Sequence, residues 1–176
     1  MNRRAAIRMT DEEALAFLDE QKTVICATNG HDGFPHLMPL WYVVRDGTIW
    51  AWTYAKAQKT KNLERDPRAT LQVEAGEAYE QLRGLMLRTE AVIHRDDDVK
   101  RGFVAELTKR YAPPGVSPED MQAGFEGQIP KRVAIEFRET GRGPNRGTEV
   151  KILSRTDARL IPPTIPPNLL PNVGRR

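Results

Sequence analysis

The sequence predicts a mainly β, α+β fold: a small barrel, closed or nearly closed, of about six antiparallel strands with two or three flanking helices. Two segments dense in turn residues, 29–33 and 45–47, separate three short apolar segments rich in β-branched and aromatic residues. Turns this short cannot connect parallel strands, so these segments form an antiparallel meander. Two later segments, 69–75 and 131–138, also have strand character, and closing the sheet would hide its edges.

The N-terminal half is expected to contain one helix followed by the meander. Thr10 and Glu13 have the spacing of a capping box, and Leu15 and Leu18 give the helix after them an apolar stripe to about residue 20. Residues 1–9, which carry three arginines, are expected to form a basic arm. The three strands are predicted at residues 23–28, 35–44 and 48–53.

The C-terminal half is expected to supply the remaining barrel strands, followed by a tail outside the barrel. Helices are predicted at residues 56–65, at 96–111 after an aspartate run, and from Ser117 onward. Strands are predicted at 69–75, at 79–94 as one long strand or two broken ones with a bulge or close backbone approach at Gly84, and at 131–138. The barrel domain then spans residues 10–140, and 141–176 form a tail rich in glycine and proline.

Composition narrows the class of protein. The 176 residues suit one domain, and no apolar segment approaches the roughly 20 residues of a membrane helix. A single cysteine, Cys26, allows no disulfide framework or multi-cysteine zinc site, and with only three histidines we expect no metal. We therefore expect a cytoplasmic protein, and its net charge of +3 suits an anionic partner.

Lysines are concentrated where the second helix is predicted to begin. Lys56, Lys59 and Lys61 occupy the end of a helix that is already partly positive, so they are better placed if an anion binds there. A phosphate would be held by free backbone N–H groups and lysine side chains together. The alternative is a solvated basic face whose lysines pair with Glu64 and Asp66.

Aromatic residues cluster just before these lysines, on two neighbouring strands. A flat conjugated ligand would fit among them, with its phosphate on the helix; the alternative is that they pack in the core. Trp50 and Trp52 share one face of a strand, so the set cannot all line one pocket. The five are Trp41, Tyr42, Trp50, Trp52 and Tyr54.

No side chains form a convincing catalytic set. Cys26 lies in an apolar strand and is expected to be an inert buried thiol, and His31 and His36 are expected to be surface or packing residues. If the protein is an enzyme, a bound cofactor supplies the chemistry. A nucleic-acid-binding barrel is the competing class, but acidic residues interrupt any continuous basic track, so we expect no nucleic acid and no membrane as partners.

An ordered series of segments resembles a known family. These segments are residues 17–18, 27–28, 32–36, 39–42, 59–69 and 79–84, of which 59–69 (KTKNLERDPRA) is the most specific. Over residues 11–138 the chain resembles the split-barrel flavin and deazaflavin oxidoreductases, the pyridoxamine 5′-phosphate oxidase-like superfamily. The resemblance implies a six-stranded split β-barrel of the FMN-binding type.

The resemblance also implies a homodimer with cofactor sites at the subunit interface. Residues of the second strand would lie beside the ring: Met38, Pro39, Leu40 and Trp41. A second group would surround the phosphate and ribityl chain: Thr53, Lys56, Gln58, Lys59, Thr60, Lys61 and Asn62. Tyr79 and Gln81 would reach in from the other subunit.

The form of the lysine segment is most similar to the branch that uses the deazaflavin coenzyme F420. This similarity implies an oxidoreductase that transfers a hydride to a planar unsaturated small molecule. FMN is the alternative cofactor, because FMN-binding relatives share most of the same residues. A non-catalytic flavin- or deazaflavin-binding protein is the alternative activity.

Overall fold

The computed structural model describes residues 9–78 and 81–140, and the backbone of 148–152. The helices are α1 (Asp11–Glu20), α2 (Gln58–Arg65), α3 (Asp97–Tyr111) and α4 (Pro118–Glu126), with a 3₁₀ turn at Ile129–Lys131. The strands are β1 (Val24–Asn29), β2 (Pro35–Leu40), β3 (Tyr42–Arg45), β4 (Thr48–Tyr54), β5 (Arg68–Ala75), β6 (Arg83–His94), β7 (Arg132–Glu139) and β8 (Thr148–Ile152).

The strands form one antiparallel sheet in the order β2-β1-β5-β6-β7-β4-β3, with β8 paired to β6. The first and last strands of this order are joined by a single residue, Trp41. Leu40 pairs with Val24 on β1, and Tyr42 pairs with Ala51 on β4. The chain itself therefore holds the two ends of the sheet together, which confirms the predicted split-barrel fold.

Three sequence predictions about the strands are corrected. Residues 35–44 were expected to form one strand, but they change pairing partner at Trp41 and form β2 and β3. The expected bulge at Gly84 is absent, because it pairs with Glu74 in an unbroken register along β5. The last strand was predicted at 131–138, yet Thr148–Ile152 also forms a strand, which pairs with β6. The rest of the tail and the basic arm at 1–8 lie outside the described residues.

Two hydrophobic clusters lie on opposite faces of the sheet. The inner cluster fills the barrel with alternate residues of its strands, such as Cys26, Leu71 and Ile135, each fully buried. The outer cluster joins Trp52 of β4 to Phe103 and its neighbours on α3. The alternation of the strands therefore separates the barrel interior from the helix-packing face.

The helix starts follow the predicted capping signals. Thr10 and Glu13 form a complete capping box, and Asp96 accepts hydrogen bonds from the backbone N–H groups of Asp98 and Val99. The aspartate run is thus a helix cap. Among the described residues, no helix is long and apolar enough to span a membrane.

Candidate functional site

Helix α2 begins without the side-chain cap and the acidic first turn that the other three described helices have. Its N-cap, Ala57, offers no side-chain hydrogen bond, and the first turn carries no acidic residue. Thr10, Asp96 and Ser117 cap α1, α3 and α4 through their side chains. The N–H groups at the start of α2 therefore remain available, and the positive end of the helix dipole is not neutralised by a carboxylate in its first turn.

Lys59, in the first turn of α2, is buried without a carboxylate. Its residue is 8% exposed, and its Nζ donates a 3.1 Å hydrogen bond to Oγ1 of Thr53 on β4. Burial lowers the pKa of Lys59, the nearby Cys26 thiol opposes that shift and the Arg132 guanidinium adds to it. Of the residues described, no Asp or Glu pairs with this ammonium group, so an anion bound here would remove an electrostatic cost.

Lys100 is a second buried lysine, and unlike Lys59 it is paired with a carboxylate. It is 3% exposed, and its Nζ lies 2.6 Å from the Asp97 carboxylate and donates to the Ile129 carbonyl at 2.9 Å. The acidic neighbours of α2 form other pairs: Glu64 pairs with Arg95, and Asp66 with Arg68. The alternative in which those two residues neutralise the α2 lysines is therefore not what the structure shows.

The inner side of α2 is tied to β1 by a chain of hydrogen bonds. Gln58 Nε2 donates to Asn62 Oδ1 at 2.9 Å, and Asn62 Nδ2 donates to Thr28 Oγ1 at 3.0 Å. Asn62 is fully buried and Thr28 is 1% exposed. The Thr60 hydroxyl, also fully buried, donates to the Tyr54 carbonyl. Asn62 and Thr60 therefore hold α2 in place with groups that are already engaged.

The remaining predicted residues of this group lie at the surface around Lys59. Lys56, Gln58 and Lys61 are exposed, at or near the start of α2. The structure thus brings together the lysine group that the sequence predicted, and it divides the group into one buried cation and two exposed ones. Thr53, which is 5% exposed, provides the inner wall beside Lys59.

The predicted ring-contacting residues lie on β2 and its junction with β3. Met38, Pro39 and Trp41 are exposed, whereas Leu40 is buried in the inner core. Met38 pairs with Cys26, the β1 residue whose thiol interacts electrostatically with Lys59. Opposed residues share a face of the sheet, so Met38 points to the same side as the Lys59 region. Leu40 therefore packs in the inner core and does not line the surface of the site.

The aromatic set divides between core and surface. Tyr42 and Trp52 are buried, Trp50 stacks on His94 at 4.7 Å, and only Trp41 and Tyr54 are about half exposed. The Trp41 ring stacks on Tyr111 with centroids 4.7 Å apart and planes 14° from parallel, so one of its faces is covered. Of the three tryptophans, Trp41 is therefore the one with the most exposed side chain, and it lies at the end of β2.

Gln81 is not brought to α2 within one chain, and Tyr79 lies outside the described residues. Gln81 precedes β6, whose first residue, Arg83, pairs with Ala75 at the far end of β5. Helix α2 adjoins the opposite end of β5, at Arg68. Among the described residues, Gln81 makes no side-chain hydrogen bond to α2; its backbone N–H donates to the Ala78 carbonyl.

Cys26 has the properties expected of an inert thiol. It is fully buried in the inner core, and burial raises its pKa to about 12 although the nearby Lys59 ammonium opposes the shift. The thiol form therefore dominates at neutral pH, and nucleophilic chemistry at Cys26 is not supported. Among residues 9–78 and 81–140, no group of three or more His, Cys, Asp or Glu side chains could hold a metal ion.

Sequence reasoning missed three features near the site. A groove of about 530 Å³ runs along the ends of β1, β5 and β6, and no predicted residue that the structure describes lines it; its polar lining includes Thr28, Arg68, Thr70 and Arg88. Arg132 lies over the rings of Trp52 and Tyr54, at 4.4 and 4.1 Å. Strand pairing brings these partners together, which spacing along the chain does not reveal.

The third missed feature is His36, on β2. Its Nδ1 atom is buried from solvent and has no hydrogen-bond partner among the described residues. The sequence indicated only a hairpin histidine of the surface or packing type. The signal that was available is that His36 falls on the same face as Met38, two residues along the strand.

Comparisons with known proteins agree with this architecture. The sequence model of the pyridoxamine 5′-phosphate oxidase family matches residues 10–138. A conserved hypothetical protein from Mycobacterium tuberculosis is 30% identical, with 93% of this chain and 96% of that chain covered and a TM-score of 0.74. No curated protein matches significantly.

More distant structures share the fold alone. A protein described as an F420 reductase is 23% identical, covering 72% of this chain and 92% of that chain with a TM-score of 0.56. The heme storage protein HutZ from Vibrio cholerae is 18% identical, covering 81% and 95%, with a TM-score of 0.62.

Proposed function

Since the chain belongs to the split-barrel family of pyridoxamine 5′-phosphate oxidase-like proteins, we propose that it is an oxidoreductase that binds coenzyme F420. In this proposal it transfers a hydride between the deazaflavin and a planar unsaturated small molecule. Proteins of this family bind flavin-type cofactors. Membership of the family does not distinguish a flavin from a deazaflavin as the cofactor. The proposed cofactor is therefore inferred from the residues of this chain.

The observation that carries the proposal is Lys59. A buried ammonium group whose one hydrogen-bond partner among the described residues is a threonine hydroxyl, at a helix start that lacks a side-chain cap, fits a phosphate. In this proposal Lys59 and the first turn of α2 hold the phosphate, while the exposed Lys56 and Lys61 neutralise further negative charge. F420 carries an oligoglutamate tail, so exposed cations beyond the phosphate favour it over FMN.

The ring is proposed to lie along β2. Met38 and Trp41 provide exposed apolar surface on β2 and at its end, which suits the face of a flat heterocycle, and Met38 lies on the same face of the sheet as the Lys59 region. When bound, the deazaflavin or flavin supplies the hydride chemistry. The residues of this chain orient the ring, exclude water from its covered face and hold the phosphate.

A homodimer forms part of the same proposal. The surface along β2 exposes large apolar side chains, with Phe34 at 75% and Leu37 at 54%. Exposed apolar side chains of this size suit a partner surface, and in this proposal Gln81 of a second copy would reach the lysine group. Light scattering of the purified protein tests this; a monomer at micromolar concentration would contradict it. We place the protein in the cytoplasm, where a free cysteine stays reduced.

Titration of the apo protein tests the cofactor. F420 and FMN are added separately while tryptophan fluorescence is followed, and a ring near Trp41 should quench it. Saturable quenching by F420, with turnover of reduced F420 by an acceptor, is the expected result. If FMN binds and F420 does not, FMN is the cofactor. Tight binding of either compound without turnover would favour a non-catalytic cofactor-binding protein. Absence of binding by both compounds would refute the proposal.

A further inference from the structure

His36 carries a buried nitrogen that none of the described residues satisfies. Its Nδ1 atom has no hydrogen-bond partner in the described part of the chain, and only one other buried side-chain polar atom there shares this property. That other atom is Nε of Arg110, whose remaining nitrogens donate to Asp19 and to three backbone carbonyls. Buried polar groups without partners are rare in folded proteins, so the imidazole nitrogen requires an explanation.

The location of His36 connects it to the lysine group. It pairs with Thr28 across β1 and β2, so both side chains lie on the same face of the sheet. Thr28 Oγ1 accepts from Asn62 on α2 and lies 3.4 Å from the His36 carbonyl oxygen, to which it can donate. His36 is thus one strand away from the inner side of α2, and the spacing between strands is about 4.8 Å.

The neighbouring pair along the same strands repeats this arrangement. Met38 pairs with Cys26, whose thiol interacts electrostatically with Lys59. The face of β2 that borders the lysine group therefore presents a thioether at Met38 and an imidazole at His36. A planar heterocycle has an apolar face and a polar edge, and these two side chains provide a matching apolar surface and hydrogen-bonding group.

We propose that Nδ1 of His36 forms a hydrogen bond with a nitrogen or carbonyl oxygen at the edge of the bound ring. This inference rests on the proposed function and adds a residue that sets the position of the ring. The imidazole suits either partner, because its neutral form can donate or accept at Nδ1 depending on the tautomer. Because the structure buries Nδ1, binding of the ring would displace the protein atoms that cover it, and the cost of burying Nδ1 without a partner among the described residues would then be offset.

Three substitutions separate the hydrogen bond from the shape of the side chain. His36→Phe keeps a ring and removes both nitrogens, His36→Asn retains a polar atom near the Nδ1 position, and His36→Gln retains one near the Nε2 position. His31 lies in the same hairpin and is exposed, so His31→Phe is the matched control. Each protein is titrated with F420 and with FMN, and the absorption spectrum of the bound ring is recorded.

The expected result is specific to the Nδ1 position. His36→Phe should weaken binding about 5- to 50-fold and shift the absorption band of the bound ring, because a hydrogen bond to its edge is lost. His36→Asn should bind within about threefold of wild type, and the apo form of His36→Phe should unfold at the same temperature as wild type or higher. His31→Phe should change neither affinity nor spectrum.

Three other results overturn the assignment. Wild-type affinity and spectrum in His36→Phe would show that Nδ1 does not contact the ligand. Recovery by His36→Gln and not by His36→Asn would move the contact to Nε2. Loss in the Phe, Asn and Gln variants alike would leave the side chain only a packing role. If wild type binds neither F420 nor FMN, the proposed function fails and this inference with it, whereas the other results refute this inference alone.

Discussion

Replacing Lys59 by methionine should weaken binding of phosphorylated cofactors while the fold is retained. Methionine has a similar length and no charge, so it fills the space of a side chain that is 8% exposed. The substitution removes one charged donor to the phosphate, a contact worth about 1.5–3 kcal/mol. At 1.4 kcal/mol for each factor of ten, the dissociation constant should rise roughly 10- to 150-fold.

The assay compares ligands that differ in the phosphate. FMN and riboflavin share one ring and ribityl chain, and F420 with its phosphate-free chromophore gives a second pair. Tryptophan quenching should show that Lys59→Met loses affinity for the phosphorylated member of each pair and not for the other. Lys109→Met, at an exposed lysine of α3, is the control for net charge. Equal losses for FMN and riboflavin, or no loss for either, would refute a phosphate contact.

The same substitution should have the opposite effect on the stability of the apo protein. Burial lowers the pKa of Lys59 below its ordinary value of 10.5, so the folded state holds this proton less tightly than the unfolded state. The free energy of unfolding therefore contains a cost below the folded pKa, and this cost decreases as pH rises toward 10.5. Lys59→Met should remove that pH dependence, as measured by chemical denaturation of apo protein at several pH values.

Three further substitutions test the framework of the site. Asn62→Ala should lower the free energy of unfolding by about 1–3 kcal/mol, because it leaves buried partners unsatisfied; urea denaturation showing no loss would contradict the role of this hydrogen-bond chain. Tyr42→Phe should cost about 1 kcal/mol through the lost 2.6 Å bond to the Leu18 carbonyl. Burial raises the pKa of Tyr42 to about 12, so its contribution should be present below pH 10 and lost as pH rises through 12; wild type and Tyr42→Phe losing stability equally there would contradict this. Gly76→Ala should lower the melting temperature, because φ is 115° and a Cβ there would clash with a backbone carbonyl of Gln81; an unchanged melting temperature would contradict it.

The sequence predicted best those features that depend on residues close together along the chain. The capping box at Thr10 and the aspartate cap at Asp96 were identified from their spacing. The crowding of lysines at the start of α2 was also visible, because helix polarity is fixed by chain direction. The prediction of a short-turn meander followed from the lengths of the turns.

Features that depend on pairing across strands were not predicted. An apolar run such as residues 35–44 has the same pattern whether it keeps one neighbour or changes neighbours at Trp41. The contact between Thr28 and Asn62 joins residues 34 positions apart, and a sequence pattern does not set that register. The burial of His36 Nδ1 likewise depends on packing in the folded chain, which spacing along the sequence does not reveal.

Closure of the sheet through Trp41 bears on the order in which the protein folds. The hairpins β1–β2 and β3–β4 and the β5–β6 pair join segments close in sequence, whereas β7 pairs with β4 across about 80 residues. Before β7 is inserted, β4 and β6 both have an unpaired edge. During synthesis these edges stay open until residue 139 has left the ribosome, so the nascent chain passes through an aggregation-prone intermediate. Chains truncated before β7 should therefore aggregate, whereas chains that extend to residue 139 can pair both edges.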